Sequence, residues 1–230
     1  MIAHSYFTAA TPAFSRRLLP VLLCCFALAL AACKTTGSSE GAKQPSAPGQ
    51  NNLAYGVSLA LPPAWKVSGS MNSEAASKES LDSRRQNGER ILILEALGPA
   101  GSRGLESMIA IFVVNEQGTF MPRNYAEKLQ PDEFAALSKD LLDREKASAK
   151  KQKTKSGLLD VQVSREDING KLAISQRMLV VGQDGKPVRL MNWDIYMPNG
   201  AGIAVKTVCD PDNPGVENQI HNLVKSLRIQ

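Results

Sequence analysis

The sequence predicts an α+β domain, a mainly antiparallel sheet flanked by helices on both faces, set behind a targeting segment and a disordered tether. Three observations lead there. Residues 91–97 and 108–114 are nearly continuous apolar runs, the pattern of central strands covered on both faces. Residues 157–210 break into four strand-like stretches at turn signals. The strongest signal is Asn169-Gly170, because both residues tolerate the positive φ of a type I′ hairpin. Two further segments, opened by Pro131 and Pro214, carry their apolar residues at helical spacing instead.

The first 32 residues are expected to be a signal peptide and not part of the fold. Arg16 and Arg17 close a basic stretch, no acidic residue precedes Glu40, and residues 18–32 are apolar apart from Pro20. That run is shorter than the about 20 residues a spanning helix needs. It ends in Leu30-Ala31-Ala32-Cys33, which resembles the lipobox of bacterial lipoproteins. The resemblance implies cleavage before Cys33 and a covalent lipid on it, the one non-protein group expected. Cys24 and Cys25 lack the two small residues that let a peptidase approach the backbone. Ser15-Arg16-Arg17-Leu18-Leu19 also resembles part of a twin-arginine export signal, although an n-region that happens to hold two arginines accounts for it more simply. Lys34, next to the lipidated position, favours the outer membrane by analogy with enteric sorting.

Processing would lower the basic residues from 27 to 25 against 22 acidic ones, a mild +3 that demands no polyanion. Cys209 would be the one free thiol and His221 the one histidine. Residues 33–52, the lipidated cysteine and a stretch rich in Ser, Gly, Lys, Gln, Pro and Asn, cannot bury enough surface to offset ordering entropy and are expected to be a flexible tether. Its root-mean-square reach is about 25 Å.

Residues 53–230 form one domain's length of chain. Val57, Leu59 and Leu61 alternate with Ser58 and Ala60 as in a strand, which Pro62-Pro63 stops. The polar residues 71–88 suit one helix ending at Asn87-Gly88. After Pro131, Asp132 and Glu133 complement the helix dipole, and Phe134, Leu137, Leu141 and Leu142 line one helical face. In the four-strand meander the looser turns fall at 182–186 and 198–200. Leu190 and Tyr196 point to one side of their strand, and Met191, Trp193 and Ile195 to the other. The last helix takes Asp212 or Asn213 as its cap, with Val216, Ile220, Leu223 and Leu227 inward.

The run Tyr55-Gly56-Val57-Ser58-Leu59-Ala60-Leu61-Pro62-Pro63-Ala64-Trp65 is similar to the opening strand of PsbP-like and DcrB-like proteins: an aromatic-Gly pair, an alternating strand, then Pro and a nearby Trp. The ending Leu223-Val224-Lys225-Ser226-Leu227-Arg228-Ile229 resembles theirs too. Ala64 stands where Gly is more usual and Val57 where Phe is. The resemblance implies a sandwich of sheet between helices and an accessory or binding role toward other envelope proteins. It carries no catalytic residue.

Little else points to chemistry. Zinc takes about four ligands, mostly His and Cys, and the mature chain would hold one of each, so no metal site is expected. Asp210-Pro211-Asp212-Asn213-Pro214-Gly215 faintly echoes a calcium loop, but Pro214 takes a ligand place and His221 stands where a bidentate Glu belongs; helix capping explains it better. A Cys209–His221 pair would make a thiol nucleophile, yet Cys209 continues the apolar face of Ile203 and Val205, and His221 sits beside Ile220, where half-buried packing is common. Glu166 and Asp167 would serve a glycan hydrolase only if a carboxylate partner met them in space; beside Asn169-Gly170 they more simply keep a hairpin tip soluble. Nothing marks an aromatic platform for sugars or nucleic acid.

Lys146, Lys150, Lys151, Lys153 and Lys155 gather at the end of the long helix. They complement its dipole or, on the sharper view, face an anionic surface. The function expected is a non-enzymatic binding or accessory module of the bacterial envelope, held to the membrane by lipid, facing the periplasm, with an envelope protein as partner and no nucleic acid. A cell-wall hydrolase using a carboxylate pair and a structural envelope component are the alternatives.

Overall fold

The computed structural model describes residues 50–70, 90–115, 118–152, 157–182, 185–198 and 200–229. The expected signal peptide, with Leu30, Ala31 and Ala32, then Cys33, most of the expected tether and the helix expected over 71–88 lie outside them. The protein is mixed α+β, with one large antiparallel sheet and few helices. The strands of that sheet are β3 (Lys66–Ser70), β4 (Ile91–Ala100), β5 (Glu106–Asn115), β6 (Gly157–Ile168), β7 (Lys171–Val181), β8 (Pro187–Tyr196) and β9 (Ala201–Cys209). They run in the order β3-β4-β5-β9-β8-β7-β6, every pair antiparallel.

The two apolar runs become β4 and β5, and the four-strand meander forms as expected. What the meander adds is closure. The chain crosses from β5 through the short α1 (Arg123–Ala126) and the long α2 (Pro131–Gln152) to the far edge. It then returns strand by strand until β9 pairs with β5 from Met108↔Val208 to Asn115↔Ala201. Buried side chains concentrate on these central strands. Ile109, Ile111, Val113, Ile203 and Val205 are wholly inaccessible to solvent.

A second, three-stranded sheet joins the two ends of the domain: β1 (Gln50–Asn52), β2 (Val57–Ala60) and β10 (Arg228–Ile229), with β2 in the middle. β1 takes up the last three residues of the expected tether, a correction to its boundary. The register Asn52↔Ser58 explains it, because a nearby edge strand satisfies backbone groups that a free tether would leave to water. Between them Tyr55 and Gly56 both hold positive φ (63° and 69°). The left-handed turn is easy for glycine and costs about 1–3 kcal/mol at a bulky residue, offset by Tyr55 packing on the core.

Helix α2 begins at Pro131, and Glu133 accepts a hydrogen bond from the Gln130 amide at 2.7 Å. Phe134 is buried in a cluster with Val161, Val163, Ile174, Met178 and Tyr196. The hydroxyl of Ser138 accepts the N–H of Val163 at 2.8 Å, so the helix also satisfies part of the exposed edge of β6. Helix α3 (Pro214–Lys225) is capped by Asn213, whose side chain accepts from the Val216 amide. Val216, Ile220, Leu223 and Val224 pack in a different cluster, which holds Met191, Trp193 and Ile195. Among the described residues no helix is long and apolar enough to cross a membrane.

Candidate functional site

The registers of β6 to β9 place side chains in straight rows across one sheet face. One row runs Ser164, Ser175, Trp193, Val205, and the next Gln162, Arg177, Met191, Thr207. Each begins polar on the edge strands and turns largely apolar toward the centre. Helix α3 packs on the central part. Beside it a groove of about 400 Å³ opens over the polar part, floored by Ser164 and Ser175 and walled on the helix side by Glu217, Asn218 and His221.

The polar groups of this groove largely satisfy one another. The hydroxyls of Ser164 and Ser175 share a hydrogen bond at 2.7 Å. Glu217, on α3, accepts a hydrogen bond from Arg177 and lies 3.8 Å from Arg189 Nε. Glu166 sits 3.0 Å from Lys225 Nζ through one carboxylate oxygen and accepts the Trp193 indole N–H at 3.3 Å through the other. Burial pushes the Glu166 carboxyl up, but Ser175 and Lys225 together outweigh it and hold the group below the usual glutamate range. His221 is exposed, its ring tilted against Trp193 with centroids 6.1 Å apart.

These positions correct one expectation and extend another. Glu166 is not a solubilising residue at a hairpin tip. It is half-buried, because its strand continues to Ile168 and places it on the groove face. Asp167, the next residue, points the other way, is exposed, and accepts the Gly170 amide at 2.8 Å; the two do not form a carboxylate pair. Asn169 does more than make the turn (φ 52°). Its side-chain amide donates to the carbonyls of Lys225 and Leu227, capping the end of α3. Hairpin tip and helix end are thereby locked together, and Lys225 is aimed at Glu166.

His221 is exposed where half-buried packing was expected. Cys209 is fully buried, and desolvation by burial, with Glu217 adding to it, pushes its thiol up to about 12. The segment expected to cap a helix divides its labour: Asn213 caps, while Asp210 serves elsewhere. The Asp210 side chain is inaccessible to solvent, and Arg103, in the β4–β5 loop, donates to it through Nη2 at 2.6 Å, Nε at 3.1 Å and its backbone N–H at 3.2 Å. The guanidinium holds this carboxyl well below the ordinary aspartate range. Gly101 permits the approach, since a Cβ there would come within 2.3 Å of Asp210. Among the described residues no three His, Cys, Asp or Glu side chains converge as metal ligands.

Of the lysine cluster, Lys146 and Lys150 are exposed near the end of α2. Lys153 and Lys155, like the Lys151 side chain, lie outside what the structure describes.

No protein-family model matches the chain, and no curated protein matches it in sequence. Solved structures similar to it include the cyanobacterial PsbP (CyanoP) of Synechocystis sp. PCC 6803, 10% identical with a TM-score of 0.42, which covers 85% of this chain and 99% of that one. The PA94 protein of Pseudomonas aeruginosa, of unknown function, is 16% identical with a TM-score of 0.38, covering 75% and 91%. The Ran-binding protein Mog1p of Saccharomyces cerevisiae is 9% identical with a TM-score of 0.40, covering 78% and 94%.

Proposed function

We propose that the chain is a lipid-anchored binding or accessory module of the bacterial envelope, attached through Cys33 to the outer membrane, facing the periplasm, and without catalytic activity. The domain is then a PsbP-like sandwich with a helix over each sheet face. Tyr55-Gly56, the strand and Pro-Trp that follow, and the separate clusters around α2 and α3 support that arrangement.

The observation that carries the binding role is how the groove spends its reactive groups. Glu166 is committed to Lys225, Glu217 to Arg177, Ser164 to Ser175, and the thiol of Cys209 is buried with its pKa raised. A nucleophile needs a free base within hydrogen-bond reach, and a glycosidase needs two carboxylates flanking one bond. This groove offers hydrogen bonds to a ligand and holds its charges in pairs.

The test is incubation of the mature chain with intact cell-wall sacculi. The expected result is no soluble fragment above background, and steady release of fragments would overturn the non-enzymatic reading in favour of the hydrolase. For the anchor, Cys33→Ala is expected to move the protein out of the membrane fraction after a high-salt wash, since lipid is what makes attachment lasting. Retention like that of the wild type would contradict it.

A further inference from the structure

The groove beside α3 also limits what it can bind. This inference rests on the binding role above and names the ligand. We propose that the groove is a saccharide subsite, taking a neutral sugar unit rich in hydroxyl and acetamido groups.

The lining narrows the choice by its charge. Two carboxylates, Glu166 and Glu217, face two cations, Lys225 and Arg177, in direct ion pairs. Both carboxylates are already paired, and Glu217 has a second cation, Arg189, at 3.8 Å, so a strongly anionic or cationic ligand would have to break a pair to make its own. A neutral ligand need not. It gains from the lone pairs and N–H groups that paired carboxylates and guanidinium still present at their rims.

Hydrogen-bonding capacity points the same way. The exposed amides of Gln162 and Asn218 stand on opposite walls, one on β6 and one on α3, with the Ser164–Ser175 hydroxyl pair between them. Each amide both donates and accepts, as each hydroxyl does, which matches a sugar ring whose every substituent does the same. A protein partner needs buried apolar or aromatic anchors at its contact. Here Met191 and Trp193 lie buried in the floor, Trp193 only 3% exposed, and offer no such pocket. Nor is Trp193 available for stacking. The exposed ring at the groove is that of His221, held in its tilt by the indole beneath. Recognition therefore runs through hydrogen bonds along the rim, with the exposed imidazole as a small flat shelf.

The size agrees as well. A space of about 400 Å³ suits one or two sugar units.

The experiment uses the soluble mature chain carrying Cys33→Ala, with the indole N–H signals of its two tryptophans followed by NMR. Trp193 reports on the groove through its bond to Glu166, and Trp65, packed against Gly98, is the internal control. Di-N-acetylchitobiose is the probe and a neutral alanine tripeptide the comparison. The expected result is a saturable shift of the Trp193 signal with the disaccharide alone. In the variant Q162A/N218A, altered at two exposed positions, the affinity should fall about tenfold, with both indole signals of the free protein and its melting temperature unchanged. His221→Ala gives a second, independent loss. No saturable shift, an affinity untouched by these substitutions, or equal binding of the tripeptide would each overturn the saccharide proposal while leaving the non-enzymatic role standing. Cleavage of the disaccharide would instead overturn that role.

Discussion

One sheet face is built in two ways. Over β8 and β9 it carries Met191, Trp193, Ile195, Ile203 and Val205, closed by Ile220 and Leu223 of α3. Over β6 and β7 the same rows carry Gln162, Ser164, Arg177 and Ser175, and α3 stops beside them. Along these rows the pairing is regular in both halves, from Glu166↔Ala173 through Ala173↔Ile195 to Ile195↔Ile203, and the register shift of β6 lies outside them at Leu158/Asp160. The difference lies in side-chain chemistry alone. On their other face, β6 and β7 carry Val161, Val163, Ile174 and Met178, which pack in one cluster with Phe134 of α2. The outer strands are thus dry on one side and wet on the other, and the wet side is the one that can meet a ligand.

The sharpest way to break this comparison is through Cys209, at the end of the closed half. A thiol raised to about 12 holds about a thousandfold less thiolate at neutral pH than an ordinary cysteine, and the thiolate is what reacts. A maleimide should therefore label the native protein only as fast as it unfolds, and at once in denaturant. Rapid native labelling would show that the closed half is open.

Next in size is the cover itself. Ile220 is fully buried, and Ile220→Ala should cost about 3–4 kcal/mol in urea unfolding, from lost burial and the cavity left behind. A cost below about 1 kcal/mol would mean that α3 does not hold this half shut.

Asp210 anchors the same half at the end of β9. Asp210→Asn weakens the charged hydrogen bonds from Arg103, which keeps Pro187 O and Asp212 as partners, and should destabilise by about 1.5–3 kcal/mol at neutral pH. The pH dependence has a definite sign. The folded-state pKa of this carboxyl is depressed, so its contribution is complete above the unfolded value near about 4 and is lost as pH falls toward the folded one. The gap between wild type and variant should hold from neutral pH down to that point and close only in stronger acid. A gap that widens on acidification would contradict the assignment.

A smaller effect is expected where the two halves meet. Asn169→Gly keeps the left-handed turn and removes only the side-chain amide that caps α3. The loss should be about 1 kcal/mol, the size of a typical net hydrogen bond, and Lys225 should be less well ordered by NMR.

How much of this is legible in the sequence differs between the halves. Ile203, Val205, Trp193 and the periodicity of α3 announce a covered face, because burial selects apolar residues at fixed spacing and spacing is local. β4, β5, α2 and the four-strand meander are legible for the same reason. The pairing of β9 with β5, and of β10 with β2, depends on registers between residues far apart in sequence, and no local pattern encodes them. The groove is harder still. Glu166 reads as the rim of a hairpin, and only the approach of Lys225 and Trp193 turns it into an inward-facing, ion-paired group. Asn169 shows its turn preference in the dipeptide with Gly170, but nothing near it signals the carbonyls of Lys225 and Leu227. One clue was present: Gln162 and Ser164 alternate with Val161 and Val163 along β6, which marks a strand with one wet face.

The smallest expected change is also the most direct test that the outer half is wet by construction. Ser164 and Ser175 face each other across β6 and β7 and bond each other. Replacing both partners of a hydrogen bond by apolar groups of similar shape is nearly neutral where neither is needed for packing. The double variant S164A/S175A, measured by urea unfolding beside Ile220→Ala, should change stability by less than about 1 kcal/mol. If it instead costs as much as Ile220→Ala, the serine row holds the fold together and the two halves of the face do not differ in kind.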